Sequence, residues 1–286
     1  MGLKIVTDSA ADLPQEILDE YDIDILPLMV TLGDKVYQDG FTIKPKQLFD
    51  GMRDGKVYKT SQVAMVDFVD LFNKNIEKEI NLIYIGFSSR LSGTVQAAQM
   101  AKNQVLAGNH AITIDVIDTK CASLGFGLVV YLAAKMVKEG KSRKEVLEAV
   151  HFYSEHMEHI FTVDDLEYLY RGGRVSRTTA FVGGLLNIKP ILNVEDGKLI
   201  PLEKKKGRKK VLRRILSIMK ERGVALDKQI VAISHGDDLE TALELKAMIE
   251  DEFGTKEFVI NTIGSVIGAH AGPGTIALFF LNKLMD

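Results

Sequence analysis

Residues 82–94 read Leu-Ile-Tyr-Ile-Gly-Phe-Ser-Ser-Arg-Leu-Ser-Gly-Thr. The first six form an apolar run of strand length with no polar alternation. Such a run marks a strand covered on both faces, as in a parallel sheet flanked by helices. The hydroxyl-rich segment that follows opens onto a helical pattern through about Leu106. The same strand-then-helix unit recurs on either side. Leu3–Thr7 precedes Asp12-Leu13-Pro14, a helix start with proline early in the first turn, and Gln15–Tyr21 continues it. Ile25–Leu32 is a second apolar run closed by Gly33, and Ile112–Ile117 is followed by Asp118-Thr119-Lys120 and an apolar helix from about Leu124. The expected fold class is α/β, with a parallel sheet in the N-terminal part.

The pattern changes in the second half. Lys141–His156 is helical, and Ile160–Arg171 combines a short strand with a helix that ends at Gly172-Gly173. Pro190–Val194 and Lys198–Leu202 flank Glu-Asp-Gly and read as an antiparallel hairpin. Helices over Lys209–Arg222 and Leu239–Phe253 alternate with strands at Gln229–Ser234, Phe258–Ile263 and Thr275–Phe280. We therefore expect an α/β domain over residues 1–155 packed on an α+β domain over 156–286. No Pro-, Gly- or Ser-rich linker separates them, so a crevice between them is the default place for a ligand.

The composition narrows the function. The chain has 286 residues, 46 % of them hydrophobic, with a net charge of −3, one Cys and no Trp. This argues against disorder and gives no bulk reason to expect nucleic acid as a partner. A single Cys excludes an internal disulfide and a Cys-based zinc site. Cys121 reads as a small core residue. The start lacks a charged segment followed by an apolar one, so no signal peptide is expected and the expected location is the cytoplasm. The longest uncharged apolar run, Cys121 to Ala134, has 14 residues, too few to cross a bilayer. The charge is uneven. Residues 203–214 hold eight basic residues and one acid, a local +7 that leaves −10 for the remainder.

Hydroxyl residues gather where strands end: Ser9 after the first strand, Thr60 and Ser61 before a helix, and Ser88, Ser89, Ser92 and Thr94 after the apolar strand. In open α/β sheets, ligands bind past the carboxyl ends of strands, where helix N-termini offer amides. Ser92-Gly93-Thr94 is placed to present hydroxyls and amides to an anionic group. Each hydroxyl taken alone is as readily a helix cap. The six histidines (110, 151, 156, 159, 235 and 270) form no H-E-x-x-H. His151, His156 and His159 read as solvent-exposed, and no metal site is expected. His270 lies in Ile-Gly-Ala-His-Ala-Gly-Pro-Gly, read as a tight loop that brings backbone and imidazole close to a ligand. Arg171-Gly172-Gly173-Arg174 reads as a hinge with two anion-binding arginines or, alternatively, a helix end with solvated ones. Gly125 and Gly127 read as sites of close helix packing. Neither G-x-x-x-x-G-K-[ST] nor G-x-G-x-x-G occurs, so no nucleotide site of its own is expected.

Six segments occur in order: Val-Thr-Asp-Ser-Ala-Ala-Asp-Leu at 6–13, Lys-Thr-Ser-Gln at 59–62, Phe-Ser-Ser-Arg-Leu-Ser-Gly-Thr at 87–94, Asp-Thr-Lys at 118–120, Leu-x-x-Leu-x-x-Gly-Gly-Arg at 166–174, and the His270 segment at 267–274. Together they resemble the DegV family of bacterial fatty-acid-binding proteins, the FakB type, over essentially the whole chain. The resemblance implies a buried tunnel between the two domains holding a long-chain fatty acid. It implies carboxylate contacts from Thr60 and Ser92 with His270 nearby, and Ser9, Ser61, Gly93 and Thr94 as supporting site loops.

It also implies that the protein is a carrier rather than an enzyme and that it has no cofactor beyond its ligand. A separate fatty acid kinase protein would phosphorylate the carboxylate, and the acyl phosphate would feed phospholipid synthesis. Arg174 and His270 match the residues of the kinase step, and Lys206 and Arg208 lie in the basic segment expected to dock the kinase. Lys206 stands where the family commonly has Arg, which keeps the charge but loses the bidentate fork. Val63-Ala64 stand where a Pro commonly follows Thr-Ser-Gln, which alters the stiffness of that loop. Membrane contact is at most peripheral. Met29, Met65, Phe126, Phe181, Phe279 and Phe280 are candidates for the tunnel wall, although each reads first as plain core. Two other readings are a Ser92/His270 acyl hydrolase or transferase, and a sensor for a different lipid-like ligand.

Overall fold

The structure is a computed structural model, which describes residues 2–108, 112–176 and 188–285. His110 and Phe181 lie outside the described residues. In chain order the elements are β1 (Leu3–Asp8), α1 (Gln15–Glu20), β2 (Asp24–Leu26), β3 (Met29–Leu32), β4 (Lys35–Gln38), α2 (Pro45–Arg53), β5 (Lys59–Ser61), α3 (Met65–Ile76), β6 (Asn81–Gly86), α4 (Thr94–Val105), β7 (Ile114–Asp118), α5 (Ser123–Lys138) and α6 (Arg143–His156). They continue with β8 (Met157–Thr162), α7 (Glu167–Arg171), β9 (Ile188–Glu195), β10 (Lys198–Lys206), α8 (Arg208–Arg222), β11 (Ile230–His235), α9 (Leu239–Phe253), β12 (Glu257–Thr262), α10 (Ser265–Ala271) and β13 (Ile276–Leu281).

The apolar strand β6 sits in a four-stranded sheet of order β2-β1-β6-β7, parallel throughout. Five of its six residues are buried, as its lack of polar alternation requires. A six-stranded sheet of order β10-β9-β8-β13-β11-β12 contains every described strand from Met157 onward. Only β11 and β12 run parallel in it; the other pairs are antiparallel. The hairpin β9–β10 turns at Asp196-Gly197, both at positive φ (45° and 78°), which matches the twist of the flanking strands.

α5 joins the two sheets. It packs against β1 on one side and against β11 and β13 on the other. One apolar core therefore runs from Val6, Leu82 and Phe126 to Phe161, Leu192 and Phe279. The sequence of α5 explains the close fit. A Cβ at Gly127 would lie 2.3 Å from the carbonyl oxygen of Ala11, and one at Gly125 would lie 2.3 Å from His159 Nε2. A second core, including Ile215, Leu245 and Phe280, lies between the six-stranded sheet and helices α8 and α9. Cys121 is buried, and burial pushes its thiol up to about 12.

Two expectations need correction. Ile25–Leu32 is not one strand. It breaks at Pro27, which has no N–H to offer a ladder. β2 stays beside β1, while β3 leaves to pair with β4 and β5 in a small antiparallel sheet. The His270 segment is not a loop. His270 lies on the last turn of α10, and the turn comes only afterwards, at Gly272 and Gly274 (φ 82° and 78°).

Candidate functional site

A cavity of about 360 Å³ lies between the two sheets, lined by residues from both halves of the chain. Its polar end is built from three distant segments. β5 brings Thr60, the turn before α4 brings Ser92 and Gly93, and α10 brings His270. Thr60 Oγ1 is 2.7 Å from His270 Nε2. Ser92 Oγ is 2.8 Å from Thr94 Oγ1 and accepts from the Thr94 amide at 3.3 Å. Gly93 is glycine for a steric reason: a Cβ there would lie 2.0 Å from Gln62 Oε1. Gln62 thus closes the gap between the Thr60 and Ser92 segments.

His270 is neutral at physiological pH. Burial, with help from the nearby Arg174 guanidinium, pushes it down to about 4. Its Nδ1 is buried with no partner among the described residues and faces Gly172, where a Cβ would lie 2.0 Å away. An orphaned buried N–H is rarer in folded proteins than an orphaned acceptor. The hydrogen-bond network therefore assigns the proton to Nε2, which donates to Thr60 Oγ1. The Thr60 O–H is then free to donate into the cavity. Arg174 is half-buried and donates to the carbonyls of Leu91 and Gly172. Among the described residues it has no carboxylate partner. It is therefore a cation held beside the polar end with its charge uncompensated, not a solvated helix-end residue.

The remaining expected residues separate. Ser61 lines the cavity with Thr60. Thr94 is fully buried and reaches the site only through Ser92. Ser9 does not line it: its hydroxyl donates to Asp39 and accepts from the Leu28 amide. Ser88 donates to the carbonyl of Gly197. Arg208 is not a free docking cation, because it bonds Asp164, Asp238 and the carbonyl of Gly274, pinning the turn behind His270. Lys206 is exposed at the end of β10, away from the cavity. Of the apolar candidates among the described residues, Phe279 lines the wall, whereas Met29, Met65, Phe126 and Phe280 do not. Ser92 and His270 share the polar end, but His270 is bonded to Thr60 and Ser92 to Thr94, so the pair is not a hydrogen-bonded dyad.

Several residues at the site escape sequence reasoning. His159, expected at the surface, is 3 % exposed and lines the cavity. Its Nδ1–H donates to the carbonyl of Met157 and its Nε2 accepts from the Ala122 amide; burial pushes it down to about 4. Asp12 and Asp39 hold the start of α10. Asp12 Oδ1 accepts from the Gly264 amide at 2.8 Å, and Asp39 Oδ1 from the Ser265 amide at 2.7 Å. Burial raises the pKa of both carboxyls. The position of His270 thus depends on two carboxylates of the first forty residues. Of the two, Asp12 falls in a segment the sequence reading singled out, Thr-Asp-Ser-Ala-Ala-Asp, and Asp39 does not.

No described helix is long and apolar enough to cross a membrane, and no described group of three or more His, Cys, Asp or Glu is disposed to hold a metal ion. A family model described as "Uncharacterised protein, DegV family" matches residues 2–283. A DegV domain-containing protein of Clostridium perfringens is 41 % identical, over 99 % of this chain and 98 % of its own length. Among solved structures, a DegV family protein from Thermus thermophilus, described by its fatty acid binding, superposes with a TM-score of 0.89 at 31 % identity, over 98 % of this chain and 99 % of that one. A stearic acid-binding protein from Eubacterium ventriosum gives a TM-score of 0.89 at 28 % identity, over 98 % of this chain and 97 % of that one. On this evidence the chain belongs to the DegV family.

Proposed function

We propose that the protein binds a long-chain fatty acid, with the carboxylate at Thr60, Ser92 and His270 and the acyl chain along the apolar wall. The observation that carries this reading is the Thr60–His270 pair at one end of a mostly apolar cavity of about 360 Å³. The likeness to solved fatty-acid-binding relatives supports it. An acyl chain has about fifteen methylenes at about 0.8 kcal/mol each, so its burial offers on the order of 12 kcal/mol before costs. The chain supplies affinity and the head group supplies orientation. A buried carboxylate needs hydrogen-bond donors. The Thr60 and Ser92 hydroxyls provide them without clamping it in an ion pair, and the neutral His270 imidazole, by donating to Thr60, frees the Thr60 O–H for this role.

We further propose that the bound carboxylate is presented to a separate fatty acid kinase protein, the acyl phosphate going on to phospholipid synthesis. A second cavity of about 310 Å³ shares Thr60, Arg174 and His270 and is also lined by Lys56, Lys59 and Arg171. A cationic vestibule outside the head group suits the approach of a phosphate donor. Docking is assigned to Lys204, Lys206, Lys209, Lys210 and Arg213. These are exposed and have no ion pair among the described residues, whereas Lys205 and Arg214 are paired with Glu203. Native mass spectrometry of the purified full chain tests the binding step. A co-purified species in the fatty acid mass range supports it, and a cavity that takes up no added fatty acid contradicts it.

A further inference from the structure

The cavity wall carries a second polar feature that carboxylate binding does not use. Ser123, at the start of α5, and Ser234, on β11, both line the cavity and both are buried. Their hydroxyl oxygens are 3.0 Å apart, and Ser123 Oγ also donates to Asp12 Oδ2 at 2.5 Å. Ser123 is held at φ +52°, a backbone region that glycine would occupy with less strain, so its hydroxyl is retained at a conformational cost.

Proton counting shows what the pair offers. With Asp12 ionised, Ser123 donates to Asp12 and Ser234 donates to Ser123, leaving Ser234 Oγ with open acceptor lone pairs. Burial raises Asp12 well above the ordinary carboxylate range. With Asp12 protonated the chain reverses, and Ser234 has an O–H free to donate. A ligand hydroxyl, which both donates and accepts, satisfies Ser234 in either state. His159 does not compete, because both its ring nitrogens are engaged by backbone groups. Asp12 also holds the Gly264 amide at the start of α10, while His270 lies on the last turn of that helix. Six residues of helical rise separate them by roughly 9 Å. The serine pair therefore faces the body of a bound acyl chain and not its carboxylate.

We propose that Ser123 and Ser234 form a subsite for a hydroxyl group carried part-way along the acyl chain, so that the cavity takes hydroxylated long-chain fatty acids as well as plain ones. This rests on the fatty acid reading of the cavity. The test is displacement titration of the full chain with octadecanoic acid and 10-hydroxyoctadecanoic acid, in wild type and Ser234→Ala. The readout is the ratio of the two dissociation constants in each protein. Loss of one hydrogen bond predicts that the hydroxylated acid weakens about fivefold relative to the plain acid in the variant. An identical ratio in both proteins overturns the proposal. A second measurement needs no variant: wild type should bind 10-hydroxyoctadecanoic acid more tightly than 18-hydroxyoctadecanoic acid, and equal affinities overturn it. Failure of octadecanoic acid to bind wild type would overturn the fatty acid reading itself.

Discussion

Thr60→Ala removes the hydroxyl that the His270 tautomer leaves free to donate. It should weaken carboxylate binding by about 1–3 kcal/mol, measured by displacement of a fluorescent fatty acid. Gly172→Ala tests the same constellation by shape. Gly172 has φ −73°, which alanine adopts without strain, so the only new feature is a Cβ 2.0 Å from His270 Nδ1. Displacement of the imidazole should lower fatty acid affinity with little change in the unfolding midpoint. Equal affinity would show that His270 does not orient the ligand. Asp8 provides a pH test. Burial pushes its carboxyl up to about 6, opposed by hydrogen bonds from Tyr84 and the Phe87 and Ala10 amides. Between about pH 4 and 6 the unfolded chain has released this proton while the folded chain keeps it, so stability falls as pH rises. The stability of wild type relative to Asp8→Asn should therefore decline across that window in urea titrations. A pH-independent difference would show that the carboxyl is not shifted.

At the scale of elements, α10 positions the polar end, because its start is held by Asp12 and Asp39 and its end carries His270. Asp12→Ala leaves the Gly264 amide without its acceptor, while the Ser123 hydroxyl can still donate to Ser234. It should destabilise the protein by about 1–3 kcal/mol in urea unfolding, the cost of one buried orphan. The units with strong periodicity, β6 with α4 and β7 with α5, were legible in the sequence, the strands to within two residues at each end and the end of α4 and the start of α5 to within one. α10 was not. A seven-residue segment containing glycine lacks the length and propensity that mark a helix, and tertiary contacts make it helical instead. The small sheet β4-β3-β5 was equally hidden, since β4 is largely exposed and has no apolar face to announce it. Thr60, Ser92 and His270 were legible through the ordered segments around them. His159, Ser123 and Ser234 were not, because their roles arise from contacts between segments far apart in the chain.

For the whole molecule, a division at residues 155/156 is the reading we propose, with α5 acting as the shared layer between the sheets. The charge map gives a prediction at this scale. Reversing Lys209, Lys210 and Arg213, all exposed on α8, should slow kinase-coupled turnover, most strongly at low salt, while fatty acid affinity stays unchanged. Unaltered turnover would leave the basic block as a solvated surface. In the proposed function, Thr60 and Ser92 hold a fatty acid carboxylate at the polar end of the cavity. Native mass spectrometry of wild type and the Thr60→Ala/Ser92→Ala double variant, each purified and then incubated with octadecanoic acid, tests it most directly. One bound fatty acid per wild-type chain is expected, with strongly reduced occupancy in the folded double variant. Equal occupancy in the two proteins would contradict it.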